Sequence, residues 1–212
     1  LEKTNASHDG SAGGNTFVGN TELRNSGTGY FLMGNGTPDV FQSDLTMNNL
    51  STHNMYLAYN STGNTIAGNL IANNSSTGSG SGYMYFSSNS ASTLNIAGNV
   101  TLNNLSSANS SYLYLGDQGD IDIQGDLNIT NNSTSNNVGE FRVASNSSST
   151  VDIVGNVSVI NNGAANYNRV YFYNSGNGTV DGAVNINNTN TASRAYVYLA
   201  NGSSSSATFN ST

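Results

Sequence analysis

A repeat of about 24 to 30 residues runs through nearly the whole chain and constrains its fold more than any other feature. Laid against itself, the sequence superposes Phe17-Val18-Gly19-Asn20, Phe41-Gln42-Ser43-Asp44, Ile66-Ala67-Gly68-Asn69, Ile96-Ala97-Gly98-Asn99, Ile123-Gln124-Gly125-Asp126, Ile153-Val154-Gly155-Asn156 and Val180-Asp181-Gly182-Ala183. A unit this short cannot bury an apolar face by itself and must stack on its neighbours.

Apolar residues alternate after each corner and end on Asn, as in Leu45/Met47/Asn49, Leu70/Ala72/Asn74, Val100/Leu102/Asn104, Leu127/Ile129/Asn131, Val157/Val159/Asn161 and Val184/Ile186/Asn188. Thr21/Leu23/Asn25 fits more loosely. A period of two is that of a strand with one face buried. Another alternating segment follows, with Phe31/Met33, Met55/Leu57, Met84/Phe86, Leu113/Leu115, Phe141/Val143, Val170/Phe172 and Val197/Leu199 on one side and mainly Tyr on the other. Helical spacing and capping boxes are missing, and the unit is too short for a four-stranded propeller blade of about 40 residues. Three short strands per unit instead make one coil, stacked on the next at about 4.8 Å. The expectation is an all-β, right-handed parallel β-helix of about seven rungs: a polar leader over 1–15, one solenoid domain over 16–199, and a tail or incomplete rung over 200–212 that includes Ala207-Thr208-Phe209.

The Gly column marks a corner that needs either positive φ or little side-chain bulk. The Asn column Asn25, Asn49, Asn74, Asn104, Asn131, Asn161 and Asn188 supplies groups that both donate and accept, so an amide can satisfy itself against its copy on the next rung. This column resembles the asparagine ladder of pectate-lyase-like right-handed parallel β-helices. The resemblance implies amides bonded to one another along the solenoid axis.

Composition narrows the function. Five Lys and Arg against twelve Asp and Glu leave a net charge of −7, which excludes the basic surface that a phosphate backbone requires. No run of about twenty apolar residues is present to span a bilayer as a helix. With no Cys there is neither a disulfide nor a thiolate metal site. The uncharged surface rich in Asn, Ser, Thr and Gly is similar to that of microbial surface β-helices: autotransporter passengers, haemagglutinin-type adhesins, and the sheath or filament proteins of archaea. That likeness implies an extracellular, cell-surface location. The triplets beginning at Asn35, Asn60, Asn146, Asn177 and Asn201 are candidate N-glycosylation sites in turns.

Pectate lyases and related β-helices use carboxylates on adjacent rungs for Ca²⁺ or acid–base chemistry. Here Asp122 and Asp152 align on neighbouring rungs with Asp117, Asp120 and Asp126 nearby, so Asp120, Asp122 and Asp152 are where a cation would bind. No Lys, Arg or His stands at the aligned outward positions to complete a catalytic set, so no cofactor, metal or catalytic residue is expected. His8 and His53 read as loop residues.

The strand after the Asn column carries the distinctive surface. Its outward positions are Tyr30/Leu32, Asn54/Tyr56, Tyr83/Tyr85, Tyr112/Tyr114, Glu140/Arg142, Arg169/Tyr171 and Tyr196/Tyr198, which hold nine of the chain's 12 Tyr. Tyrosines at rung spacing stack, and a phenol strip of several hundred Å² also suits an interface. Glu140 and Arg169 can pair, and Arg142 can lie over Tyr114 or Tyr171. The expected function is a non-catalytic building block of a surface filament, sheath or layer, joined through open solenoid ends and the Tyr face. The alternatives are a carbohydrate-binding adhesin holding surface glycans and, behind it, a polysaccharide lyase or hydrolase.

Overall fold

The computed structural model describes residues 1–190 and 194–210. Their strands form three sheets of eight, and within each sheet the neighbours are every third strand of the chain. One turn therefore contributes a strand to each sheet, as Leu70–Asn74, Ser81–Phe86 and Thr93–Ile96 do. All pairings are parallel and in register, for example Leu70↔Val100 and Tyr85↔Tyr114. The molecule is an all-β parallel β-solenoid of about seven turns.

Burial alternates along the strands, so that Leu70, Ala72, Val100, Leu102, Leu127 and Ile129 face inward without exposure. These columns merge with the inward residues of the other two sheets into one apolar core. The stretch 1–15, expected as a polar leader, contributes two strands to the stack: Lys3 pairs with Asn25 and Asp9 with Phe31. Lys3 thus stands in the Asn column, 3% exposed, its ammonium donating to the Asn5 carbonyl at 2.6 Å. In the stretch 200–212, Ser206–Phe209 pairs with Asn177–Val180 as a third-sheet strand, while 211–212 lie outside the described residues.

Each corner has its own chemistry. Between the third and first sheets, Gly68, Gly98, Gly125, Gly155 and Gly182 all have ordinary φ. Lack of bulk is the reason for glycine there: a Cβ on Gly155 would sit 2.4 Å from the Gly125 carbonyl oxygen of the coil below. The residue after each glycine ties coils together. Asn69 Oδ1 accepts the Asn99 N–H at 2.9 Å, Asn99 Oδ1 that of Asp126 at 2.8 Å, and Asp126 Oδ1 that of Asn156 at 2.7 Å.

Between the first and second sheets, Asn25, Asn49, Asn74, Asn104, Asn131 and Asn161 are fully buried. Amide-to-amide bonds run only from Asn131 to Asn161 at 3.1 Å and from Asn161 to the exposed Asn188 at 3.0 Å. The prevailing bond crosses the corner within one coil, as when Asn74 Nδ2 donates to the Gly82 carbonyl at 3.0 Å and Asn131 Nδ2 to that of Gly139 at 3.1 Å. Two further ladders support the coils: buried serines, with Ser76 Oγ and Ser106 Oγ 2.8 Å apart, and outward amides, where Asn103 donates to Asn73 and Asn73 to Asn48 at 2.9 and 2.8 Å.

The positive-φ corner lies between the second and third sheets. Gly34 and Gly116 adopt it, but so do Ala58, Ser87, Ala144, Tyr173 and Ala200. For an L residue this region costs roughly 1–2 kcal/mol, offset here by the coils above and below that dictate the turn. Tyr173 shows the compensation, with its ring buried and its hydroxyl donating to the Val151 and Thr179 carbonyls, each at 3.2 Å.

Candidate functional site

The outward face of the second sheet brings the Tyr columns together. Tyr56, Tyr85 and Tyr114 stack at centroid spacings of 4.8 and 4.7 Å with their planes within 7°. Arg142 follows in the same column, its guanidinium 5.5 Å from the Tyr114 ring and 5.7 Å from the Tyr171 ring. Tyr171 then stacks on Tyr198 at 4.8 Å. Register produces this column: strands in parallel alignment repeat at the thickness that offset aromatic rings prefer.

The adjoining column runs through Tyr83, Tyr112, Glu140, Arg169 and Tyr196. Tyr83 and Tyr112 meet at 4.9 Å. The Glu140 side chain is fully buried, gripped by Arg142 Nε from one side and by Arg169 Nη2 at 2.8 Å from the next coil. Tyr30 extends the strip toward the N-terminus, tilted at 76° to Tyr56.

Several further residues join the face. His8 stacks on Tyr30 at 4.2 Å and accepts its backbone N–H, so it belongs to the strip and is not a free loop residue. His53 approaches the same ring at 6.0 Å. Tyr167 lies under both Arg169 and Arg194, 5.2 and 4.8 Å from their guanidinium carbons. Tyr59 meets Tyr56 edge-on at 5.1 Å. The outward alternation of neighbouring strands foretells Tyr167, whereas Tyr59 sits in a turn where no period applies.

Burial raises the phenol pKa of Tyr56, Tyr85, Tyr112, Tyr114 and Tyr171 above the ordinary tyrosine value, so these hydroxyls stay neutral. Three of the chain's five Lys and Arg residues, Arg142, Arg169 and Arg194, also stand on this sheet. The face is therefore aromatic and cationic on a protein whose net charge is −7.

Asp117 does not lie with Asp120 and Asp122. It follows Gly116 at the positive-φ corner, where it lines a recess with Tyr56, Tyr59, Tyr85 and Ser88. Burial pushes its carboxyl up to about 6, with Arg142 pulling the other way. A raised carboxyl pKa means that the folded chain holds this proton when the unfolded chain has lost it. Stability from this group is thus greatest below the unfolded value of 3.8 and is lost as pH rises through about 6. Asp117→Asn is expected to raise the urea midpoint at pH 7 and to flatten its dependence between pH 4 and pH 7. An unchanged pH slope in the variant would refute this assignment.

Asp122 and Asp152 are paired neighbours on the third sheet, and burial, then Asp152 and Asp120, raises the Asp122 carboxyl pKa. Asp120 Oδ1 accepts the Thr150 N–H at 2.8 Å, and Asp152 Oδ1 accepts the Thr179 N–H and hydroxyl at 2.9 and 2.7 Å. These oxygens thus tie coils together. Among the described residues no group of three or more His, Cys, Asp or Glu side chains is arranged to hold a metal ion. Asn35 and Asn60 are exposed and pair with each other in an isolated parallel β-bridge, and Asn146 and Asn201 are exposed outside the strands; Asn177 is half-buried, with Oδ1 accepting from Ser206 N at 3.0 Å.

Comparison with protein-family models, with curated proteins and with solved structures finds no match for this chain. Among the described residues no helix is long and apolar enough to cross a membrane.

Proposed function

We propose that the chain is a non-catalytic, extracellular structural protein, a stiff rod that joins neighbouring copies through its tyrosine sheet into a surface filament, sheath or layer. The observation that carries this reading is the half-buried stack of Tyr56, Tyr85 and Tyr114, continued by Arg142 into Tyr171 and Tyr198. Stacking along the sheet accounts for the ring faces, but it leaves the outer edges and hydroxyls presented in a strip that a partner can cover. Tyr and Arg are the residue types most enriched where proteins meet.

Charge supports a second copy as the partner. The arginines concentrate on the second sheet, while Asp120, Asp122 and Asp152 stand on the third and Asp44 and Asp126 at the corner beyond it. Two copies of one acidic chain can thus meet with opposite charges in register. Ile186, Leu199 and Phe209 in the last described turn continue the inward columns and are 37%, 46% and 39% exposed. A further coil would cover them. The exposed Asn35, Asn60, Asn146 and Asn201 leave room for N-glycans.

The test is a variant carrying Tyr83→Ser, Tyr85→Ser, Tyr112→Ser and Tyr114→Ser. Each stacked pair contributes only about 0.2–1 kcal/mol to the fold, so the β-rich circular dichroism should persist. Lateral bundles seen by electron microscopy, and the corresponding fast-sedimenting species, should disappear. Bundles that survive in a folded variant would end the proposal.

A second reading, a glycan-holding adhesin, is favoured by one observation: the polar recess beside Asp117 at the edge of the tyrosine strip.

A further inference from the structure

The three faces of the solenoid differ in charge. Strands of the first sheet carry Glu2, Lys3, Glu22 and Arg24, which cancel, and Arg24 pairs with Glu2 at 3.1 Å. The last three strands of the second sheet carry Arg142, Arg169 and Arg194 against one carboxylate, the buried Glu140. Strands of the third sheet carry Asp120, Asp122 and Asp152 and, among the described residues, no Lys or Arg.

The third face is also hollowed. Two recesses of about 390 and 360 Å³ adjoin there and share Asn95 and Asp122; the second of them is bordered by Asp120 and Asp152. Asp120 and Asp152 each commit an oxygen to the next coil, whereas Asp122 is exposed and accepts no hydrogen bond from the described residues. Burial, then Asp152 and Asp120, raise its carboxyl pKa, a penalty that an incoming cation relieves. Asp122 and Asp152 stand on adjacent coils, as do Arg142 and Arg169. Both sets therefore repeat at the thickness of one coil, about 4.8 Å.

Resting on the lateral assembly proposed above, we infer that the tyrosine and arginine strip of one copy seats on the acidic, hollowed third sheet of the next, with the rod axes parallel. A second solenoid has the same period as the strip, so every coil of one copy meets a coil of the other. When both chains run in the same direction, Asp122 lies one coil before Arg142 and Asp152 one coil before Arg169. A displacement of one coil thus seats both pairs together, whereas unshifted copies seat only Asp152 against Arg142. The same displacement sets Asn95 opposite Tyr114, whose hydroxyl stays protonated and can donate to the amide oxygen. Two tyrosine strips laid on each other match less well, because the arginines then meet no exposed carboxylate within the strips. Since the two surfaces lie on different sheets, each copy in a pair keeps one of them free, and the contact propagates instead of closing on a dimer.

The test is sedimentation velocity on two variants of the whole chain, alone and mixed. The first carries Tyr83→Ser, Tyr85→Ser, Tyr112→Ser and Tyr114→Ser and keeps the acidic face. The second carries Asp122→Lys and Asp152→Asn and keeps the strip. Asp122 is exposed, and an amide oxygen at 152 still accepts from Thr179, so the second variant should fold as the parent does, which circular dichroism checks. Each variant alone should sediment as a monomer, the second because replacing attraction by like charge weakens the contact about a hundredfold. Mixed, they should form a one-to-one dimer, the strip of the second on the third sheet of the first. Asp122→Asn alone should weaken association of the otherwise unchanged chain about threefold, the scale of one exposed ion pair. The inference is overturned, and the tyrosine reading kept, if the second variant bundles as the parent does, if the mixture stays monomeric, or if Asp122→Asn changes nothing. A parent that forms no bundles, or bundles that survive in the first variant, would end both.

Discussion

At pH 7 the double variant Arg142→Met, Arg169→Met is expected to lose about 3–5 kcal/mol of unfolding free energy, the cost of leaving a buried charge without its partner. Glu140 has no solvent exposure, and its two oxygens face Arg142 Nε and Arg169 Nη2. With both guanidinium groups gone, the carboxylate can neither reach water nor find another cation. Urea melts at pH 7 should show the loss as a lowered midpoint with an unchanged slope. Adding Glu140→Leu should restore most of the loss at pH 7, since an apolar replacement of a buried ion cluster is often close to neutral. A double variant as stable at pH 7 as this triple variant would show that the triad does not hold the sheet.

Gly155→Ala is expected to cost about 2–3 kcal/mol, whereas Gly19→Ala should stay within about 0.5 kcal/mol of the parent. The sequence motif is the same at both positions. A methyl on Gly155 would press on the Gly125 carbonyl oxygen and carbon at 2.4 and 2.5 Å, whereas nothing lies within 4 Å of one on Gly19. Neither glycine has positive φ, so backbone strain does not contribute to the difference. The carbonyl cannot retreat without parting two coils that are hydrogen-bonded on three sheets. Chemical denaturation of the two variants side by side is the check, and equal losses would remove close approach as the reason for the glycine column.

Both expectations depend on one property of a solenoid, that a side chain's neighbours are its counterparts in the coils above and below. Stacked identical groups reinforce one another where they can share contacts, as Tyr85 does with Tyr56 and Tyr114. They conflict where bulk or charge repeats, as between Asp122 and Asp152. Glu140 between two arginines interrupts the tyrosine columns with a cluster that keeps one net positive charge, and Arg142 keeps the ring column continuous because a planar cation can lie between two π faces.

The sequence by itself determined the period, the three strands per turn and the inward columns. Burial on one face of a strand writes alternation directly into residue type, and repetition in every turn averages out local exceptions such as Ser43. It likewise determined that Tyr56, Tyr85 and Tyr114 share a column, because parallel register follows from the repeat. The path of the chain at its corners was decided only in the tertiary structure. Ala58, Ser87, Ala144 and Tyr173 accept positive φ with no signal in their residue types, because adjacent coils impose the turn. The Asn amides turn mostly to a carbonyl across their own corner, since that oxygen is within reach in each coil whereas the next amide is aligned only at Asn131 and Asn161. Lys3 joins the same column because pairing with the first full coil can order a polar segment that has no apolar pattern. Asp117, five residues from Asp122, is carried to a different face because a corner intervenes, and distance along a sequence does not measure distance around a coil.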